Sequence, residues 1–508
     1  MRKILISITT ILLILILSSC TTNPDKKNDP IESKLGKRAY EHFVNISRIP
    51  RASGNMQGIS TFLVSFAQEN GLEVTQDSAL NVLIKKSGSK GREAEPPVIL
   101  QAHMDMVADK NQYVDHDFTT DPIIPIINGD WVTASKQTTL GADNGAGLSI
   151  LLAILEADYL SHPPIEAIIT TDEEIGMLGA AVFDVALLAG KRFINLDMES
   201  EGVFIVSCAG SAGVEVIVPI EYRHISAGFD SYVLSIKGLL GGHSGADIHL
   251  GRANANVLMA ELLKEIAVVN FELSSINGGS ARNAIPRESF ATISFQETDF
   301  VAIDNIVKQT EILFKSTYSE DIELSVTLEK TSKADLVMTE NNFQSLLKCI
   351  LEIPNGVITM SSDIPGLVQT SNNLGVITTG DDAIILSNYP RSSSLEDLSD
   401  VLETINSIST SAGATISITG QVPPWPYKQI SPLRDDLAQI YLDMFNKMPL
   451  VTAIHAGLEC ALFAGKMPDT EFISIGPDIE HAHSPDERLS LSSYYRVCEF
   501  VARLLEML

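Results

Sequence analysis

Cysteine is scarce: five occur in 508 residues, and none forms a CxxC pair. That argues against a cysteine-based zinc site. Cys208, Cys349, Cys460 and Cys498 are scattered through so long a chain that disulfides are not demanded, and buried, unpaired thiols are expected. Basic residues are also short, with 36 Lys and Arg against 64 Asp and Glu, a formal net charge of −28. The deficit argues against nucleic acid and anionic membrane surfaces as partners, while the acidity suits a protein that concentrates cations. No internal repeat and no long low-complexity segment is visible. The 45% apolar content is enough for sizeable cores, and the length predicts two or three domains.

Only the N-terminus carries a long aliphatic run. Met1-Arg2-Lys3 precedes Ile4 to Leu17, which is almost wholly apolar, and Leu17-Ser18-Ser19-Cys20 follows. A basic start, a short apolar stretch and small residues describe a secretory signal. The last four residues resemble a bacterial lipobox, so the expectation is an exported protein with lipidated Cys20 anchored in a bacterial membrane. The run is short for a spanning helix. Residues 1–19 are then the signal and 20–35 a flexible tether.

From Pro97 onward the chain reads as strand-then-helix units. Val98-Ile99-Leu100 runs into His103 and Asp105, and Ala167-Ile168-Ile169 into Glu173 and Glu174. Phe193-Ile194-Asn195-Leu196 leads to Asp197, and Phe472-Ile473-Ser474-Ile475 leads on to His483. Gly141-Ala142-Asp143-Asn144-Gly145 is a tight loop opening a helix, where Leu148, Leu151, Leu152 and Leu155 follow helical spacing. Polar residues thus recur just past apolar strands, where the loops of an open α/β sheet converge on one crevice. Between residues 214 and 422 the texture changes to alternating strands with one wet face, such as Tyr232 to Ile236 and Phe290 to Phe295. Arg252 to Val268 reads as a helix, and Pro423-Pro424-Trp425-Pro426 as a stiff boundary. The predicted architecture is α/β. A mixed sheet with flanking helices is built from 36–213 and 423–508, and an α+β lid is inserted at 214–422.

His103, Asp143, Glu174, Asp197 and His483 supply the nitrogen and carboxylate donors that two hard-to-borderline divalent ions need, including an anion to bridge them. Asp105, two residues after His103, is placed to orient its ring. Glu173 and Glu174 are neighbours that cannot easily share one metal, so one can bind while the other faces an attacking water as general base. Singly, each residue also fits a bland role: Asp143 as a helix N-cap, His483 as a turn residue, Glu173-Glu174 as a solvated face.

Gln101-Ala102-His103-Met104-Asp105-Met106-Val107, Thr138 to Gly145, Thr171-Asp172-Glu173-Glu174-Ile175-Gly176 and His483-Ser484-Pro485-Asp486-Glu487 resemble the aminoacyl-histidine (Xaa-His) dipeptidases. These enzymes sit within the wider dizinc superfamily of aminoacylases, carnosinases and glutamate carboxypeptidases. His455-Ala456-Gly457-Leu458-Glu459-Cys460 resembles the dipeptidase branch in particular. The resemblance implies that Asp143 bridges two zinc ions, with manganese or cobalt as alternatives. His103 and Asp197 then complete one site, and Glu174 and His483 the other. It implies Asp105 as the orienting acid, Glu173 as general base, and His243 of Gly241-Gly242-His243-Ser244-Gly245 as the group that polarises the scissile carbonyl. Arg391 resembles a residue that binds the substrate's terminal carboxylate. Asn254 and Asn283 are lid contacts proposed by position alone.

The implied function is metal-dependent hydrolysis of short peptides, chiefly dipeptides and Xaa-His among them, with a homodimer through the lid left open. Two other readings stand beside it. The same scaffold could act as an N-acyl amino acid deacylase or a carboxypeptidase, and a lipid-anchored peptide-binding protein without catalysis is the reading from another class.

Overall fold

The computed structural model describes residues 33–508. The segment that carried the signal, Cys20 and most of the tether therefore lies outside the described residues. Ser33 already caps a helix, its Oγ accepting from Gly36 N, and Leu35 in the first turn is buried. Ser33 to Leu35, expected in the tether, thus belong to this helix and its cap. No helix among the described residues is long and apolar enough to cross a membrane.

The first large layer is an eight-stranded mixed sheet. Its order is Glu73–Gln76, Val82–Lys86, Ile165–Thr170, Val98–His103, Arg192–Asn195, Glu471–Ser474, Val203–Cys208 and Leu450–Ile454. The four strands from Ile165–Thr170 to Glu471–Ser474 run parallel, so their carboxyl ends share one edge. Successive side chains of a strand point to opposite faces, and here both faces are covered. Val98, Leu100 and Ala102 join a core with the helices Lys34–Ser47, Ala142–Glu156 and Leu491–Met507. Ile99, Ile168 and Phe193 face the other way, towards Phe463 and Phe472. This explains why these strands read as continuous apolar runs in the sequence.

The helix predicted after the Gly141–Gly145 loop is present as Ala142–Glu156, but it differs in one respect. The leucine spacing predicted one apolar stripe, whereas Asn144 to Leu155 are all buried. A helix enclosed between a sheet and other helices has no wet face to keep polar.

The second layer is an eleven-stranded antiparallel sheet drawn from residues 210–422. Tyr232, Leu234 and Ile236 on Phe229–Lys237 and Ala291, Ile293 and Phe295 on Ser289–Gln296 alternate into a core shared with the helix Ala255–Ile266. That helix starts three residues later than predicted because Asn254 caps it.

The two sheets are joined where the chain passes twice through one place. Cys208, at the end of the Val203–Cys208 strand, bridges Trp425. A Cβ on Gly210 would lie 2.5 Å from the backbone nitrogen of Pro424. Only glycine permits the outgoing strand to run this close to the returning one. Among the described residues, Cys208, Cys349, Cys460 and Cys498 are buried and free, as expected.

Candidate metal centre

Four of the five predicted donors stand at or just past the parallel strand ends or at the mouth of the buried helix. His103 closes its strand, Glu174 follows Ile165–Thr170, and Asp197 follows Arg192–Asn195. Asp143 sits in the first turn of Ala142–Glu156 with non-helical backbone angles, and the Asp143–Asn144 peptide bond is cis. His483 arrives from farther away. It lies in the turn between Ile479–Glu480 and Arg488–Ser490, two strands of a separate four-stranded sheet, and not directly past the Glu471–Ser474 strand.

The structure brings all five together. His103 Nε2 lies 3.1 Å from Asp143 Oδ1 and 3.3 Å from Asp197 Oδ1. His483 Nε2 lies 3.1 Å from Asp143 Oδ2 and 3.0 Å from Glu174 Oε2. The two oxygens of Asp143 thus face two separate donor groups: His103, Asp143 and Asp197, and Asp143, Glu174 and His483. Glu173 is close as well, forming a third group with His103 and Glu174. Asp105 Oδ1 is 3.3 Å from His103 Nδ1, the nitrogen turned away from Asp143. The Asp105 carboxylate also accepts from the backbone of Glu173 (3.0 Å) and Glu174 (3.2 Å), tying the two loops together.

The electrostatics are those of a site short of cations. Burial raises Asp197 to about 7, with Asp143 and Glu174 adding to the effect. Burial likewise pushes Glu199 to about 8 and Glu459 to about 8. Glu173 is raised well above the ordinary carboxylate range by burial, with Asp197, Glu459 and Glu174 reinforcing the shift. His483 is pushed up to about 11 by its hydrogen bonds to Asp143 and Glu174. Burial opposes ionisation of Asp143, but bonds from His103 and His483 outweigh it and hold the carboxyl low. Glu174 Oε1 and Asp197 Oδ1 are buried and make no hydrogen bond. Buried anions persist when paired with cations or metals. Nitrogen and oxygen donors in two groups sharing one carboxylate fit a pair of divalent ions.

Three supporting residues have no local signature in the sequence. Glu487 accepts from the backbone nitrogens of Leu140 (2.6 Å), Gly141 (2.9 Å), Ala142 (2.7 Å) and Asp143 (3.2 Å). Glu459 is fully buried and accepts from Gln101 Nε2 (2.5 Å) and Thr170 Oγ1 (2.7 Å), two residues on the strands beneath His103 and Glu173. Arg51, also buried, donates to the carbonyls of Met104, Asp105 and Gly141. Glu487 and Glu459 fall inside the strings that carried the resemblance, but nothing local marked them as supports.

The residues predicted within the inserted segment divide. His243 Nδ1 accepts from the backbone nitrogens of Gly245 (3.2 Å) and Ala246 (3.0 Å). An accepting Nδ1 puts the proton of a neutral ring on Nε2, and burial, helped by Arg391, lowers the pKa so that the neutral form is favoured. Arg391 is 4% exposed, its Nε makes no hydrogen bond, and its guanidinium lies over the Tyr389 ring at 4.6 Å. Burial lowers its pKa. Asn283 accepts through its backbone from Ser244 N at 2.8 Å, which puts it beside the His243 loop. Asn254 is different. Its Oδ1 caps the helix through Asn256 N and Val257 N, and its Nδ2 donates to Leu374 O at 3.1 Å. Its side chain serves the fold, which position in the sequence could not reveal.

The His455–Glu459 segment links the two groups. His455 Nε2 is 2.7 Å from Ser371 Oγ on the antiparallel sheet. Four residues on, Glu459 sits among the metal-bearing strands.

Comparison with known proteins places this geometry. A profile for the peptidase dimerisation domain matches residues 234–322. The cytosol non-specific dipeptidase of Escherichia coli (strain K12) is 36% identical over 469 residues, covering 92% of this chain and 96% of the relative. The crystal structure of aminoacylhistidine dipeptidase from Vibrio alginolyticus superposes with a TM-score of 0.85 at 36% identity, covering 95% of this chain and 99% of that one. Aminopeptidase PepT from Bacillus cereus, at 15% identity and a TM-score of 0.54 over 93% of this chain and 98% of that one, shares the fold.

These comparisons correct one expectation. The exported, lipid-anchored location rested on residues 1–20 alone, and the relative that aligns with nearly the whole chain is a cytosol dipeptidase. An apolar stretch behind a basic start is a short-range signal, whereas the likeness extends over 469 residues. Membrane attachment through Cys20 falls with it.

Proposed function

The chain belongs to the aminoacylhistidine and cytosol non-specific dipeptidase family of M20 metallopeptidases, and on that footing we propose that it hydrolyses dipeptides, Xaa-His among them, at a two-metal centre. The observation that carries this reading is Asp143, whose two carboxylate oxygens each lie 3.1 Å from a different imidazole in a different donor group. His103 and Asp197 would hold one ion, Glu174 and His483 the other, and Asp143 both. Two zinc ions bound there, or manganese or cobalt, supply Lewis acidity towards the scissile carbonyl and towards water.

The remaining chemistry belongs to the chain's own side chains. Asp105 keeps the His103 ring turned so that Nε2 faces Asp143. Glu173, partly exposed beside the centre, takes the proton of the attacking water and returns it to the leaving amine. Its raised pKa suits a group that must both accept and release a proton. His243, neutral with its proton on Nε2, donates to the oxygen on which charge develops. Arg391, buried with its Nε making no hydrogen bond, takes the substrate's terminal carboxylate, with Asn283 near the same loop. A site that engages both the scissile bond and the free terminus favours very short peptides.

The division of labour follows the sheets. Residues 36–213 and 423–508 form the catalytic unit, and 214–422 form an inserted lid whose dimerisation-type segment supports a homodimer.

Hydrolysis of a panel containing β-Ala-His, Gly-His, Leu-Gly and an N-acetyl amino acid, with and without chelator and added zinc, tests the reading. Zinc-dependent cleavage of the dipeptides is expected. Cleavage of the acetyl substrate alone would move the assignment to a deacylase, and metal-replete protein that cuts nothing would leave only peptide binding.

A further inference from the structure

Arg51 is 1% exposed, yet it makes no contact ion pair with a carboxylate. Its guanidinium is spent on backbone carbonyls instead. Nη1 donates to Met104 O (3.1 Å) and Asp105 O (2.8 Å), and Nη2 donates to Gly141 O. Those carbonyls belong to the segments that display His103 and Asp143, which in turn face each other across one donor group.

The fit around the guanidinium is close. A Cβ on Gly141 or on Gly145 would lie 2.6 Å from Arg51 Nη2, so the loop that presents Asp143 is wrapped directly on this side chain. The residues that follow extend the same strap. Ser53 Oγ donates to Asp105 Oδ2 (2.8 Å), and Gly54 N donates to Asp172 Oδ1 (2.7 Å), next to Glu173. Glu487 grips the amide side of the Asp143 loop, and Arg51 grips its carbonyl side. The segment that presents Asp143 is thereby held at both polarities of its backbone.

A buried cation beside a two-metal site is costly on two counts. Burial disfavours its charge, and it repels the metal ions. Charge balance alone does not require the planar fork, because a lysine carries the same charge. Three carbonyls in two separate segments do require it.

We propose that Arg51 is a positioning residue that holds the His103–Asp105 and Gly141–Asp143 segments in register, so that the donors of the metal centre are assembled before the ions arrive. The role rests on the metal-centre reading above, and it acts through Asp143 and His103, not on substrate.

The test is zinc affinity of the full chain, measured by competition with a chromophoric chelator, for the wild type, Arg51→Lys and Arg51→Met. Both variants are expected to bind zinc roughly ten- to a hundredfold more weakly, as when an outer partner of a ligand is lost. At saturating zinc, kcat should fall while KM for a dipeptide stays within about twofold, because uniform substrate binding is untouched.

If Arg51 served only as counter-charge, Arg51→Lys would match the wild type, and Arg51→Met would bind zinc equally or more tightly once the repulsion is removed. Either result overturns the proposal. Should both variants fail to fold, Gly145→Ala decides: its Cβ displaces the guanidinium without removing it, and unchanged zinc affinity there would overturn the role. A wild-type chain that takes up no zinc would bring down the metal centre itself, and this role with it.

Discussion

The two sheets use their polar residues in opposite ways. On the mixed sheet, parallel strands deliver His103, Glu174 and Asp197 to one edge, and the backbone beside His103 and Asp143 is braced by two buried charges, Arg51 and Glu487. Away from it, Arg391 sits on a two-residue strand of the antiparallel sheet with its guanidinium over the Tyr389 ring, and His243 sits in a separate two-stranded pair, its Nδ1 held by backbone amides. The first arrangement suits ions, which tolerate little displacement of their donors. The second suits a substrate that must enter and leave. The contrast teaches that metal binding and substrate binding should fail separately.

The sharpest way to break that separation is Glu173→Gln. Turnover should fall roughly 10²–10⁴-fold, the usual contribution of a positioned base, while zinc affinity by chelator competition stays near the wild-type value. Loss of both together would make Glu173 a ligand, as its grouping with His103 and Glu174 allows. Next in size is Arg391→Ala, from the other sheet. KM for dipeptides should rise about ten- to a hundredfold, the cost of a charge-assisted hydrogen bond, again with zinc uptake unchanged. A drop in zinc affinity there would erase the distinction between the sheets.

Acidity gives an effect of similar size, confined to the metal side. In the metal-free protein His483 is raised to about 11 by Asp143 and Glu174. A group raised on folding stabilises the metal-free chain fully below its unfolded value of about 6.5, and that contribution is lost as pH climbs through about 11. Zinc must displace this proton, so its affinity should climb at least about tenfold per pH unit between roughly pH 6 and pH 8. Titrations in two buffers of different ionisation enthalpy count the protons released. The smallest change is Asn254→Ala, which removes a helix cap. It should cost about 1 kcal/mol of stability, seen as a lowered Tm, with kcat/KM unaltered. A KM effect would restore Asn254 to the substrate.

Much of this site was legible because His103, Glu174 and Asp197 follow apolar runs. Val98 to Leu100 predicts a strand, and a strand end predicts where His103 goes. Asp143 was marked by the glycines around it. His483 was less direct, since its position comes from a separate small sheet. Arg51 and Glu487 were not legible as supports at all. Their contacts join residues far apart in the sequence, and neither periodicity nor turn chemistry encodes such contacts. Asn254 turned out to have a second role for the converse reason: an asparagine just before a helix is readily its cap. The N-terminal signal misled through its own local completeness.

The grip of Glu487 on residues 140–143 spans more than three hundred residues of chain. During synthesis the Asp143 loop therefore leaves the ribosome long before the carboxylate that shapes it, and the whole antiparallel sheet must be made in between. Contacts of such separation form late in folding. A nascent or prematurely ended chain would carry most of the donors without the frame that sets them. The centre is thus completed only when translation is nearly over.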